Sequence, residues 1–416
     1  MIDTPLAFIS YNSSHMNLNK IGSVKGKNVL FLQGPMGYFF SKLEKRFKEE
    51  GAQTYKIGFN FADYFFSLDS SYTPYRDTPD AWPDFIKLYL LDQKIEMIFL
   101  FGDCRYYQVM TAEAAQVLSI ELFVFEEGYI RPDYITLERS GVNNYSMLSQ
   151  DPDFYHNITL HDLPEPQKTY ASQTQMVVSV SAYYLLANLF SWRYPHYRHH
   201  RNFSAIREFG YGLRSIIRKY YYVFRERQEI EKITTIYAKK YFFVPLQTHN
   251  DFQILQHSGY GSIEKFIIEV LESFYYHSES SQMLVFKHHP VDRGRKNYTD
   301  FIARQMEVLG LKASRVKVYH DVHLPTLLKN ARGTITINST VGLSSLYHNT
   351  PTVVMGKAIY NMKGLAKSRE CLDLFWHNED KVDEVLYQKF RQYLVEHTQI
   401  NGSFYGELYL NEDEYK

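Results

Sequence analysis

The chain has 416 residues, 45% of them hydrophobic, and 46 Lys plus Arg balance 46 Asp plus Glu for a formal net charge of +0. That length exceeds one ordinary core and suggests two domains with room for an intervening segment, while the neutral balance gives no reason to expect a nucleic-acid binder held by bulk electrostatics. Cys104 and Cys371 are the two cysteines, far apart and in no CxxC arrangement, which excludes a disulfide framework or a cysteine zinc site and fits a reducing compartment.

From Met1 to Ile9 no basic stretch precedes a long apolar core, so no signal peptide is expected and the protein is read as cytoplasmic. The first half alternates as a parallel α/β sheet does. Asn28 to Gln33 predicts a strand ending at Gly34-Pro35-Met36-Gly37, followed by a helix to Glu50. Strands over Thr54 to Ile57 and Met97 to Phe101 come next, the second ending at Gly102-Asp103-Cys104-Arg105. A helix through Thr111 to Leu118 leads into the apolar run Leu122 to Phe125, which stops at Glu126-Glu127-Gly128 with Arg131 and Pro132 beyond. Ligands of open α/β sheets gather at the carboxyl ends of strands, so two acids there suit chemistry on a sugar or a phosphorylated substrate. A solvated turn in which Glu126 pairs with Arg131 is the plain alternative. Residues 20 to 165 thus read as a Rossmann-like domain.

Residues 166 to 235 change character, with helical periodicity and interleaved Arg and Tyr, among them Arg193, Tyr194, Arg214, Arg218 and Tyr220 to Tyr222. A basic aromatic helical region is a candidate contact for lipid headgroups or anionic ligands, the alternative being an exposed linker. Its uncharged stretch, Thr169 to Trp192, is too rich in Ser, Thr, Gln and Asn for a spanning helix and reads as buried or interfacial. Across the chain 36 Tyr and 29 Phe stand against 3 Trp, a bias that half-wet surfaces favour.

Alternation resumes over residues 236 to 400, the second Rossmann-like domain. Strands are predicted at Tyr241 to Leu246, Met283 to Lys287, Val316 to His320, Gly333 to Asn338 and Thr352 to Met355. Ile263, Phe266, Ile267, Val270, Leu271 and Phe274 mark one face of a helix, and a last helix runs near Val382 to Glu396. Two such halves around a cleft, joined by a helical region, make a GT-B-like α/β architecture.

Three strand ends of this half carry chemistry. Gln247, with His249, Asn250 and Asp251 behind it, offers hydrogen bonds to a base or a sugar. Lys287-His288-His289-Pro290 places an extended His289 before proline, a donor for phosphate or carboxylate, in a loop made cationic by Arg293, Arg295 and Lys296. Asn338-Ser339-Thr340-Val341-Gly342 opens a helix, where backbone N–H groups and hydroxyls cradle anions and Gly342 permits close approach. An ordinary helix cap is the alternative. Gln33, Gly34, Asp103 and Arg105 hold the equivalent strand ends of the first half, without GxGxxG or a P-loop.

Taken in order, Leu30 to Pro35, Phe101 to Arg105, Glu126 to Pro132, Val244 to Gln247, Lys287 to Pro290 and Ser339 to Gly342 resemble the capsule polysaccharide biosynthesis family, over roughly residues 25 to 365. Within it the set is most similar to the β-Kdo transferases that begin a poly-Kdo linker. The resemblance implies a retaining glycosyltransferase that needs no metal, takes CMP-Kdo as donor in the second domain and uses a lyso-phosphatidylglycerol acceptor on the first-domain side. It implies a cytoplasmic, peripheral place at the inner-membrane face, beside other capsule synthesis or export proteins and with no nucleic acid. In such relatives the acid pair often reads Glu-Asp-Gly, with the aspartate as nucleophile. The matching position is Glu127, which leaves open whether Glu127 is nucleophile, base or sugar-orienting group. His289, Ser339 and Thr340 match the residues that hold the cytidine phosphate or the Kdo carboxylate. A GT-B transferase with another donor and a non-catalytic export or assembly factor are the rival readings.

Overall fold

The computed structural model describes residues 20–67, 71–197, 205–248, 259–377 and 380–409. Short runs rich in Val, Ile, Leu and Phe, separated by amphipathic helices, favour parallel strands covered on both faces. In the first half these runs form β1 (Asn28–Phe31), β2 (Gln53–Gly58), β3 (Ser71–Pro74), β4 (Met97–Phe101), β5 (Glu121–Glu127) and β6 (Tyr134–Arg139). The second half supplies β7 (Tyr241–Pro245), β8 (Met283–Lys287), β9 (Val316–Tyr319), β10 (Gly333–Thr336), β11 (Thr352–Val354) and β12 (Lys367–Ser368), all parallel in the order β12-β11-β10-β7-β8-β9. The chain then returns, and β13 (Gln399–Asn401) pairs antiparallel with β6 to complete a first sheet ordered β13-β6-β5-β4-β1-β2-β3. The fold is therefore two Rossmann-like α/β sheets with a helical connection, the GT-B-like class expected.

Each sheet reverses direction at one place. In the first, β1 leads to β2 on one side while β4 pairs with its other side; in the second, β7 and β10 flank the reversal. A crevice opens at such a switch point, outside the strand carboxyl ends. Gln33, Gly34, Asp103 and Arg105 border the first, and Gln247 and Asn338 the second.

Alternation along the strands sends side chains to two separate cores. Phe31, Phe99, Phe123 and Phe125 pack on one face with the helix Phe39–Glu49, while Leu30, Ile98, Leu100 and Val124 pack on the other with Trp82 and Tyr107. Phe31, Phe99 and Phe123 stack across β1, β4 and β5 with ring centroids 5.1 and 5.0 Å apart, each pair adding roughly 0.5–1.5 kcal/mol beyond its buried area. Much of the aromatic bias thus fills cores rather than wet surfaces.

The connecting region is two helices. Gln173–Leu189 lies against the first domain through Tyr183 and leaves Val178 and Leu185 exposed. Ala205–Thr234 lies against the second domain, where Ile233 joins Leu327 and Leu328. No helix among the described residues is long and apolar enough to cross a membrane.

The structure differs from the sequence expectation in two respects. β5 does not stop before the acid pair but runs through it, Glu126 pairing with Thr136 and Glu127 with Ile135. β6 supplies those partners, and its polar Thr136 and Glu138 had masked its strand character. β3, β12 and β13 are short edge strands whose apolar signal is correspondingly weak.

Candidate active site

Because the acid pair lies within a strand, its two side chains point to opposite faces. Glu126 follows Val124 toward the helix Tyr106–Val117, and an added Cβ on Gly102 would stand 3.8 Å from Glu126 Oε2. Burial lifts the half-buried Glu126 carboxyl to about 7; a 3.0 Å hydrogen bond from the Glu127 N–H opposes the shift, the negative charges of Asp103 and Glu127 add to it, and Arg105 offsets part of it. Glu127 follows Phe125 to the other face, where its exposed carboxylate lies 3.7 Å from Arg131 Nη2. Arg131 also donates from Nε to Gly128 O at 3.3 Å, so the Glu–Arg pair of this loop is Glu127 with Arg131. Gly128 is obligatory here, since a Cβ would stand 2.1 Å from Tyr134 O and 2.8 Å from Ile130 O.

Around Glu126 the switch point is carboxyl-rich. Buried Asp103 accepts the Val142 N–H at 2.8 Å, and Arg105 lies over the Phe101 ring at 5.7 Å. Glu138 projects from β6 on the same face as Glu126, accepts from Tyr129 Oη at 2.6 Å, and is raised to about 7 by burial. The sequence reading missed Glu138; its one signal was the Thr136, Glu138 alternation opposite an apolar strand.

Gln33 sits at the same switch point with its amide turned inward. Its Nε2 lies 3.0 Å from Asp63 Oδ2, 2.9 Å from Tyr183 Oη and 3.2 Å from Tyr197 Oη. Tyr183 donates to Asp63 at 2.7 Å and Asn60 donates to Tyr183 at 2.7 Å, a network that fastens the helix Gln173–Leu189 to the first sheet. Burial raises the Asp63 carboxyl, against the pull of these donors. Tyr183→Phe removes a donor from a buried carboxyl and is expected to cost about 1–3 kcal/mol, read as a lowered urea midpoint with unchanged slope. The neighbouring Gly34 is packed against the Phe40 ring, 2.6 Å from an added Cβ.

In the second domain Gln247 and Asn338 bridge the switch point, Gln247 Nε2 donating to Asn338 Oδ1 at 3.0 Å. His249, Asn250 and Asp251 lie outside the described residues. His289 Nδ1 accepts the Val291 N–H at 3.2 Å, so a neutral ring carries its proton on Nε2. His288 is interior instead: its Nε2 accepts from the Tyr298 N–H at 3.1 Å, and burial lowers it to about 3, leaving it uncharged. Lys287 is buried as well, with Nζ 3.2 Å from His320 O, and burial lowers its pKa. Ser339 Oγ accepts the Val341 N–H at 3.2 Å, with Thr340 helical beside it. The close approach at Gly342 is made by Tyr360, whose Oη stands 2.0 Å from an added Cβ and donates to Ser339 O at 2.5 Å.

The two halves of the site meet through packing. Tyr129, just beyond the acid pair, shares one apolar cluster with Leu343 and Tyr360, and Gln150 Nε2 donates across to Ile359 O at 3.1 Å.

Comparison with known proteins places these residues in a wider set. Residues 96–405 match the model of the family described as capsule polysaccharide biosynthesis protein. The chain is 36% identical over 382 residues to the capsule polysaccharide export protein KpsS of Escherichia coli, covering 92% of this chain and 98% of that one. It is 35% identical over 393 residues to the capsule polysaccharide modification protein LipB of Neisseria meningitidis serogroup B, covering 92% and 93%. Among solved structures, Thermosulfurimonas dismutans KpsC, a β-Kdo 2,7 transferase, aligns over 87% of this chain and 90% of its own, at 14% identity and a TM-score of 0.41.

Proposed function

The chain belongs to the capsule polysaccharide biosynthesis family, and we propose that it is a retaining glycosyltransferase that moves Kdo from CMP-Kdo to a lyso-phosphatidylglycerol acceptor, starting a lipid-linked glycan at the inner face of the membrane. The observation that carries this reading is the shared packing of Tyr129 with Leu343 and Tyr360, which draws the acid-bearing end of β5 and the Ser339–Gly342 segment together.

In the proposed reaction the Glu126 carboxylate attacks the anomeric carbon of Kdo and the bond to the cytidine phosphate breaks. A hydroxyl of the acceptor then attacks the same carbon, the bond to Glu126 breaks and the hydroxyl proton passes to the released CMP phosphate, so two inversions give retention. Glu126 rather than Glu127 takes this role because it lies on the face that carries Asp103 and feels the charge of Arg105, whereas Glu127 faces away and pairs with Arg131. His289 Nε2–H and the Ser339 and Thr340 hydroxyls are the proposed donors to the leaving phosphate, with no metal ion required. Gln247 and Asn338 border the place for the base or ribose.

The test is transfer by purified protein supplied with CMP-Kdo and lyso-phosphatidylglycerol, with free CMP, UDP and GDP as competitors. Glycolipid formation inhibited by CMP well below the concentrations of UDP or GDP is the expected result. Absence of product where another family member forms it overturns the reading. Capsule restored equally by wild type and by a Glu126→Gln, His289→Ala double variant favours a non-catalytic assembly role.

A further inference from the structure

The helix Ala205–Thr234 has its faces reversed relative to an ordinary surface helix. The side packed on the second domain is polar and aromatic. Arg218 Nη1 donates to Arg293 O at 2.9 Å, Tyr222 stacks on His320 with ring centroids 3.7 Å apart, and Glu226 accepts the His320 and Asp321 N–H groups at 2.9 Å each. The opposite side is apolar. Leu213, Ile216, Ile217, Tyr220 and Phe224 recur at helical spacing along one stripe, and Ile217, Tyr220 and Phe224 are 61%, 72% and 85% exposed. Leaving such a stripe in water is costly, so a partner of matching chemistry is implied.

Charge identifies that partner. From Tyr211 to Arg225 the chain carries Arg214, Arg218, Lys219 and Arg225 and no Asp or Glu, although its total charge balances to +0. Arg214, Lys219 and Arg225 are exposed beside the stripe, while Arg218 is turned inward. An apolar stripe edged by cations matches a bilayer boundary, where hydrocarbon takes the stripe and anionic headgroups take the charges. The core of a protein–protein contact is depleted of charge instead.

We propose that the stripe Leu213–Phe224 lies in the headgroup boundary of an anionic bilayer, with the helix axis along the surface. The anchoring contacts reach Arg293, His320 and Asp321, in the loops that follow β8 and β9. Membrane contact and the carboxyl edge of the second sheet therefore belong to one rigid unit, which holds the site beside its lipid acceptor. That purpose rests on the function proposed above; the contact itself is tested without any donor.

The full chain is sedimented with vesicles of phosphatidylcholine alone and with vesicles that also contain phosphatidylglycerol. Wild type is expected to bind the anionic vesicles about tenfold more tightly or better, and added salt to weaken it. Ile217→Glu with Phe224→Glu is expected to lose about tenfold or more of that affinity while keeping its thermal midpoint. Arg214→Glu with Lys219→Glu is expected to abolish the preference for anionic vesicles. Equal binding by the Ile217, Phe224 double variant, or no binding by wild type, overturns the proposal. So does a wild-type dimer, by light scattering, that the double variant converts to monomer without vesicle binding in either protein, since a second copy then covers the stripe. Failure of Kdo transfer leaves all of these outcomes readable.

Discussion

Glu126→Gln is expected to lower sugar transfer by about 10²–10⁴-fold while CMP binding is kept, and Glu127→Gln to stay within about tenfold of wild type. Gln preserves the shape and the Glu127 N–H contact but cannot bond to the anomeric carbon. The pH profile separates the roles further. With the carboxyl raised to about 7 by burial, a nucleophile gains its active, ionised form as pH rises, so the rate climbs through about 7 and levels above it. The Gln variant loses that inflection. Stability carries the opposite sign: the folded protein holds the Glu126 proton more tightly than the unfolded chain does, so the contribution is full below the ordinary value of 4.5 and is lost as pH rises through about 7. Urea midpoints of wild type are therefore expected to fall, relative to Glu126→Gln, between pH 5 and pH 8. A dead Glu127→Gln beside an active Glu126→Gln transfers the chemistry to the position that the family resemblance indicated.

Gly342→Ala is the second large effect. The new Cβ stands 2.0 Å from Tyr360 Oη and 2.4 Å from its Cζ, and the ring is fully enclosed by its cluster. The ring must leave, breaking the Tyr360–Ser339 hydrogen bond and disturbing the cluster that joins the two halves of the site. About 1–3 kcal/mol of lost stability from overpacking is expected, with a weaker affinity for CMP as the Ser339–Thr340 backbone shifts. Tyr360→Leu in the Gly342→Ala background shortens the side chain and is expected to recover part of the midpoint. An unchanged midpoint in the single variant refutes the account.

Most of the parallel framework was legible because buried parallel strands are continuous apolar runs. Met97–Phe101 and Met283–Lys287 fall on the expected bounds. β6 was not, because Thr136 and Glu138 face a polar interior that only its neighbours create. The candidate site was legible as a set of strand ends and not as a set of contacts. Lys287 and His288 have the residue types of an anion loop, yet burial turns the lysine onto a backbone carbonyl and leaves the histidine uncharged. Gln33 likewise reads as a ligand group but lies within reach of Asp63, Tyr183 and Tyr197. Its partners are distant in sequence, and no local pattern announces them.

The α/β class, the order of the strand-end motifs and the basic aromatic character of the connection are readable from residues alone, since each depends on composition and short-range periodicity. Which acid of the pair lies on the face of Asp103 follows from long-range strand pairing and from no local pattern. The extension of β5 through Glu127 depends on its pairing with β6, and once the strand continues, alternation sends Glu126 and Glu127 to opposite faces. Tertiary structure also decided which side of the helix Ala205–Thr234 is left for a partner, because only the packed loops after β8 and β9 show which face is already taken.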